Sequence, residues 1–141
     1  MQGVRAHPGT SQGLLALVLT ENTALFTAIS NDVDYPSAFR RQVEAIVRQD
    51  DLIIGLSTSG RSPNVIEALR AAREIGARTV ALLGEQGELA NVADIAIYIP
   101  STSVPRIQEA HMFISHLICE MAQRMTTGEY QTRFVPEAAH T

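Results

Sequence analysis

At 141 residues with 45% hydrophobic content, the chain is long enough for one domain with its own core and too apolar for a disordered one. Its net charge of −4 excludes a nucleic-acid binder by charge, and its single cysteine, Cys119, excludes an intrachain disulfide framework. All 11 basic residues are arginine, which excludes Schiff-base lysine chemistry and a Walker-type phosphate lysine. No apolar run approaches the roughly 20 residues of a membrane span, and the N-terminus has no signal-peptide core. A lone thiol fits a reducing compartment, so a cytoplasmic protein with neither a membrane nor a nucleic-acid partner is expected.

Taken in chain order, residues 1–13 are polar, carry Pro8 and Gly9, and read as a disordered lead-in. Leu14 to Leu19 reads as a short apolar strand buried on both faces. Thr20, Asn22 and Thr23 are caps for a helix over about 23–30. Asn31 to Pro36 reads as a turn, because Pro36 disfavours helix at Tyr35. Ser37 then caps a helix over 38–48, with Phe39, Val43, Ile46 and Val47 on its apolar stripe. A strand over 52–56, a loop rich in hydroxyls and a helix over 63–75 follow, with Gly76 as the helix stop. Thr79 to Leu83 is a strand, Gly84–Gly87 a turn, and 88–92 a short helix. Asp94 to Ile99 is the last strand, and a long helix runs from about Pro105 to Met125. Residues 127–141 read as a polar tail. Strands alternating with helices predict an α/β fold, a parallel sheet of about four strands flanked by helices. Ligands of such sheets bind beyond the carboxyl ends of the strands, where both the 57–62 loop and the 84–87 turn fall.

The loop Ser57-Thr58-Ser59-Gly60-Arg61-Ser62 is the most informative stretch. It sets four hydroxyls and a glycine between a strand and a helix N-terminus, where free N–H groups and the positive dipole end face an anion. The hydroxyls add donors without charge. A Ser/Thr turn with a helix cap is the plain alternative, and Ser62 is a good N-cap ahead of Pro63. The position of the loop points to a phosphorylated small molecule, and capping and ligand binding can coexist there.

Two further clusters stand out. Arg106 to His116 holds two histidines, a glutamate and a glutamine on an otherwise apolar helix. One core histidine with the others facing solvent accounts for this as well as a ligand-bearing helix does. Gln108 and His111 share a face. Gln108 and His116 are eight residues apart, about 12 Å on a regular helix, so one metal barely bridges them. Either Gln108 sits in an irregular first turn, or the two serve different roles or different subunits. Asn31-Asp32 is read more simply as an Asx turn than as a ligand pair.

Together these segments resemble the sugar isomerase (SIS) domain, and within it the phosphoheptose isomerase group. The resemblance runs from about Leu14 to Gln123. It is carried by Leu25-Phe26-Thr27-Ala28-Ile29-Ser30-Asn31-Asp32, by Ser57 to Val65 and by Arg106-Ile107-Gln108-Glu109-Ala110-His111. It implies a flavodoxin-like sheet and a homo-oligomer, tetramer or dimer. It implies aldose–ketose isomerisation between sedoheptulose 7-phosphate and glycero-manno-heptose 7-phosphate, in lipopolysaccharide or related heptose pathways. By the same resemblance Ser57, Thr58, Ser59 and Ser62 hold the sugar phosphate, and Asn31 and Asp32 line the substrate site. Gln108 and His116 are zinc ligands, with His116 also the acid/base. Arg61 stands where the family often has Asn, a change expected to matter little to the phosphate cradle.

The family also carries an earlier strand, a Gly-Asn-Gly-Gly-Ser-type loop and a helix bearing a His and a Glu that complete the zinc site. These have no counterpart before Leu14, so the resemblance implies a partial SIS domain over 14–126 that lacks the first strand. Strand 14–19 would then pair with 52–56 or with another chain, or be held loosely. The carboxylate base would be Glu109 or come from another chain. A second reading is a non-catalytic SIS regulator, such as a replication-initiator-associating factor, and a third is a sugar-phosphate sensor.

Overall fold

The computed structural model describes residues 14–126. They divide between two compact units. One spans Leu17–Phe113 and contains the sheet; the other takes in residues 14–16 and 114–126. The expectations for residues 1–13 and 127–141 lie outside the described residues.

In the larger unit, helix α1 (Thr23–Asp32) begins where the Oδ1 of Asn22 accepts the Leu25 N–H at 3.0 Å, so Asn22 is the cap among the three residues proposed. None of its residues is buried. Phe26 links it onward, edge-on to Tyr35 with ring centroids 5.9 Å apart and tilted against Phe39 at 5.1 Å. Helix α2 (Ser37–Ile46) starts at Ser37 itself. The cap is not the serine hydroxyl: Oδ1 of Asp34 accepts the Ser37 N–H at 2.7 Å, and Pro36 occupies the N-cap position without a side-chain bond. Hydrogen bonds from Ser37, side chain first and backbone second, hold the Asp34 carboxyl below its ordinary pKa.

Strand β1 (Leu52–Ser57) leads through the hydroxyl loop to helix α3 (Pro63–Ile75). Gly76, at φ 90°, ends α3 in the left-handed conformation that its lack of a Cβ permits. Strand β2 (Arg78–Leu83), helix α4 (Glu88–Val92), strand β3 (Ile95–Tyr98) and helix α5 (Val104–Thr126) complete the order. The sheet is parallel throughout in the order β1-β2-β3, with Ser57 opposite Leu83 and Leu83 opposite Tyr98.

Two core clusters lie on the α3 face of the sheet, with Ile53 packed against both. One cluster joins Val43 and Val47 to Ala68, Ala71 and Ala72 of α3 and to Ala77, with Phe39, Ile53 and Leu19 packed against it. The second joins Ile66 and Leu69 to Ala81, Leu83 and Leu89. Small residues on the inner side of α3 let it lie close to its neighbours. On the opposite face of the sheet Val80 and Leu82 are buried, while Leu56 and Ile95 remain largely exposed. An ion-pair network ties α2 to α3: Arg40 reaches Glu44 at 2.8 Å, Glu67 at 3.2 Å and Glu74 at 2.8 Å.

The strand expected over 14–19 does not form, and among the described residues the sheet has three strands, not about four. Residues 14–18 have strand composition but no ladder partner, and Leu15 is 87% exposed. Strand propensity expresses packing on a pleated surface, and no adjacent strand supplies that surface here. Asn31 and Asp32 also depart from expectation, since they finish α1 and the turn begins after them. No helix among the described residues is long and apolar enough to cross a membrane.

Candidate functional site

The hydroxyl loop leaves the carboxyl end of β1 and delivers the chain to the N-terminus of α3. Ser57, the last residue of β1, is buried. Its hydroxyl is engaged inside the loop: Oγ lies 2.8 Å from Oγ of Ser62 and accepts the Gly60 N–H at 3.1 Å. Ser62 occupies the backbone N-cap position of α3 with no side-chain capping bond. The expectation that its hydroxyl caps the helix is therefore corrected, because that hydroxyl turns back to Ser57. Oγ of Ser59 accepts the Arg61 N–H at 3.3 Å. Thr58 and Ser59 are half-buried. The loop thus uses Ser57 to fix its own shape and carries Thr58, Ser59 and Ser62 around the positive end of α3.

The 84–87 turn, at the carboxyl end of β2, is stitched to this loop. Glu85 N–H donates to Thr58 O at 3.1 Å, and Leu89 N–H donates to Gly60 O at 3.0 Å. Gly60 sits at φ 64°, and Gly87 lies so near that a Cβ on it would collide with the Gly60 carbonyl. Across the two loops the guanidinium of Arg61 meets the Glu85 carboxylate at 3.5 Å, both side chains being exposed. Sequence reasoning placed both loops at strand ends but missed this stitching. A glycine in each loop was the available signal, and it does not say which backbone approaches which.

The remaining expected residues are placed as follows. Asn31 and Asp32 are exposed at the end of α1, where Nδ2 of Asn31 donates to Oδ1 of Asp32 at 2.9 Å. Gln108 is exposed on α5, one residue beyond buried Ile107, whose side chain packs where a Gly84 Cβ would stand. His111 is the buried histidine of that helix. His116 is also on α5, exposed, and belongs to the smaller unit. Glu109 is exposed and pairs with Arg106 at 2.7 Å.

The donor set does not make a zinc site by itself. Among the described residues no group of three or more His, Cys, Asp or Glu could hold a metal. Gln108 and His116 are two donors, whereas a catalytic zinc takes three protein ligands. At the amino ends of the strands, away from the hydroxyl loop, an open depression is lined by Gln49, Asp50, Arg73, Arg78 and Asp94. Nothing in it matches the chemistry expected of the site.

The parallel sheet flanked by helices, with a hydroxyl-rich turn between β1 and the N-terminus of α3, defines an open-sheet α/β domain. The family is more specific: a family model described as the SIS domain matches residues 8–84, and the chain belongs to that family. It is 46% identical over 114 residues to the phosphoheptose isomerase of Geobacter sulfurreducens, covering 80% of this chain and 60% of that protein. It is 43% identical over 119 residues to that of Geotalea daltonii, covering 84% and 62%. Among solved structures it resembles a phosphoheptose isomerase from Neisseria gonorrhoeae, with a TM-score of 0.72 and 38% identity over 74% of this chain and 60% of that one. A phosphoheptose isomerase from Francisella tularensis gives a TM-score of 0.73 and 33% identity, over 75% and 58%. The chain spans about three fifths of the length of these relatives.

Proposed function

We propose that this chain binds a phosphorylated sugar and serves aldose–ketose isomerisation between sedoheptulose 7-phosphate and glycero-manno-heptose 7-phosphate. The observation that carries this reading is the loop over 57–62, closed on itself by Ser57 and open at the N-terminus of α3, in a chain similar over four fifths of its length to phosphoheptose isomerases. That similarity favours the isomerase over the regulator.

In this reading Thr58, Ser59 and Ser62 donate to phosphate oxygens and Ser57 holds the loop in shape. Asn31 and Asp32 bind sugar hydroxyls, the amide as donor and the carboxylate as acceptor. Isomerisation moves a proton between C1 and C2 through an enediol(ate), which needs a base and an acid near the carbonyl end of the sugar. His116 is the acid/base of this chain, and Gln108 orients a sugar oxygen. The second base and any zinc donors besides Gln108 and His116 come from residues outside those described or from a second copy. A homo-oligomer, a cytoplasmic location and a role in heptose supply for lipopolysaccharide belong to the same proposal.

The test is direct. Sedoheptulose 7-phosphate should raise the melting temperature of the chain by mass action, while unphosphorylated sedoheptulose should not. A coupled assay with and without added zinc should then show turnover that His116→Ala abolishes. The absence of any shift with the phosphate ester would overturn the reading. A shift with no turnover at any zinc or protein concentration would leave a binding module in place of an isomerase.

A further inference from the structure

The two loops at the carboxyl ends of β1 and β2 together hold one cation and one anion, Arg61 and Glu85. Every other donor in the 57–62 loop is a neutral hydroxyl or a backbone N–H. The pair is loose: a single nitrogen-to-oxygen approach of 3.5 Å, beyond the roughly 2.7–2.9 Å of a charge-assisted hydrogen bond. Both partners are more than half exposed, at 66% and 57%. Such a contact gives little stability. Among the described residues several ion pairs are shorter, such as Arg40 to Glu44 at 2.8 Å and Arg70 to Glu67 at 2.6 Å, and two are longer, at 3.9 Å.

The backbone beneath Arg61 is fixed more firmly than its side chain. Its N–H donates to Ser59, the preceding Gly60 is pinned against Gly87, and the following Ser62 is tied to Ser57. A long flexible cation thus stands on a rigid base at the rim of the anion corner, parked on a weak carboxylate partner. We infer that Arg61 is an exchangeable charge clamp: it leaves Glu85 for the phosphate of the bound sugar and makes the neutral hydroxyl cradle selective for a dianion, with Glu85 as its competing partner. This rests on the phosphate reading of the loop and goes beyond it by assigning charge recognition to a residue that is not one of the cradle hydroxyls.

The experiment is calorimetric titration of the full chain with sedoheptulose 7-phosphate at low and at high salt, for wild type, Arg61→Gln, Arg61→Lys and Glu85→Gln. Arg61→Gln should bind about tenfold more weakly at low salt, the loss of one charge-assisted contact, and show a flatter salt dependence. Arg61→Lys should recover part of the affinity, and Glu85→Gln should bind more tightly than wild type, because the competitor is gone. Both positions are exposed, so unchanged melting temperatures should accompany these shifts. Equal affinity of wild type and Arg61→Gln at low salt would overturn the clamp while leaving the phosphate reading intact. Failure of the wild type to bind the ester would overturn both.

Discussion

The hydroxyl oxygens of Ser57 and Ser62 lie 2.8 Å apart, so the last residue of β1 and the N-cap residue of α3 are joined across the loop they enclose. The same Ser57 oxygen accepts the Gly60 N–H. Ser57→Ala therefore removes the centre of a small buried network and leaves Gly60 N–H without that acceptor. We expect a loss of about 1–2 kcal/mol, read as a lower denaturation midpoint at unchanged slope. Thr58→Ala, whose hydroxyl has no bond to a described residue, should change stability little and weaken sugar-phosphate binding instead. Comparable stability losses in the two variants would contradict this division of labour.

Gly87 faces the Gly60 carbonyl so closely that no side chain fits between the loops. Relief would require breaking the Leu89-to-Gly60 or Glu85-to-Thr58 hydrogen bond. Gly87→Ala should cost about 3 kcal/mol, at the upper end for overpacking, and should also weaken phosphate binding because the cradle is displaced. Thermal denaturation combined with ligand titration measures both effects. A stable variant with intact binding would show that the stitching does not set the loop's shape.

Much of this arrangement was legible because it is local. The run Leu52–Leu56, the hydroxyl loop, Pro63 and Gly76 announce strand, turn, helix start and helix stop within one window, and the structure has them there. What escaped depends on partners distant in sequence. Leu14–Leu19 looks like a strand by composition, but a strand exists only through its neighbour. Asp34, not Ser37, caps α2, since a carboxylate three residues ahead of the N–H reaches it from the turn. The sequence marks Ser62 as the N-cap position but not the fate of its hydroxyl, because the competing partner, Ser57, lies across a turn whose shape the sequence does not specify. The helix over 105–125 is legible from its own pattern, whereas the burial of His111 depends on packing partners distant in sequence.

Arg40 connects α2 to α3 through three carboxylates, and the Glu44 hydrogen bond is the leading cause of its raised pKa. A network orders one side chain for several contacts, so it contributes more than an isolated surface pair. Arg40→Met keeps the apolar stem and removes the charge. It should lower stability by about 1 kcal/mol in dilute buffer, and the deficit should shrink in ~1 M salt, where exposed charges are screened. A salt-independent deficit would assign the effect to packing of the stem.

Asp94 supplies the acid-sensitive joint of the sheet. Its Oδ2 accepts the N–H of Thr79 at 2.8 Å and the Thr79 hydroxyl at 3.0 Å, while Asp94 N–H donates to Thr79 Oγ1 at 2.9 Å. Thr79 is 1% exposed and lies in β2, and Asp94 immediately precedes β3, so the pair fixes how the two strands start. The Thr79 backbone hydrogen bond, then its side chain, holds the Asp94 carboxyl below the ordinary aspartate value, with Arg73 and Arg78 adding to the effect. A carboxyl depressed in the folded state stabilises the fold fully above its unfolded pKa of about 3.9. That contribution is lost as pH falls from about 4 through the lower folded value. Asp94→Asn keeps one acceptor oxygen and cannot titrate. Denaturant melts should therefore show wild type more stable than the variant at pH 7 and at pH 5, with the gap closing below about pH 4. A gap of constant size across that range would mean that charge on Asp94 plays no part in holding β3 to β2.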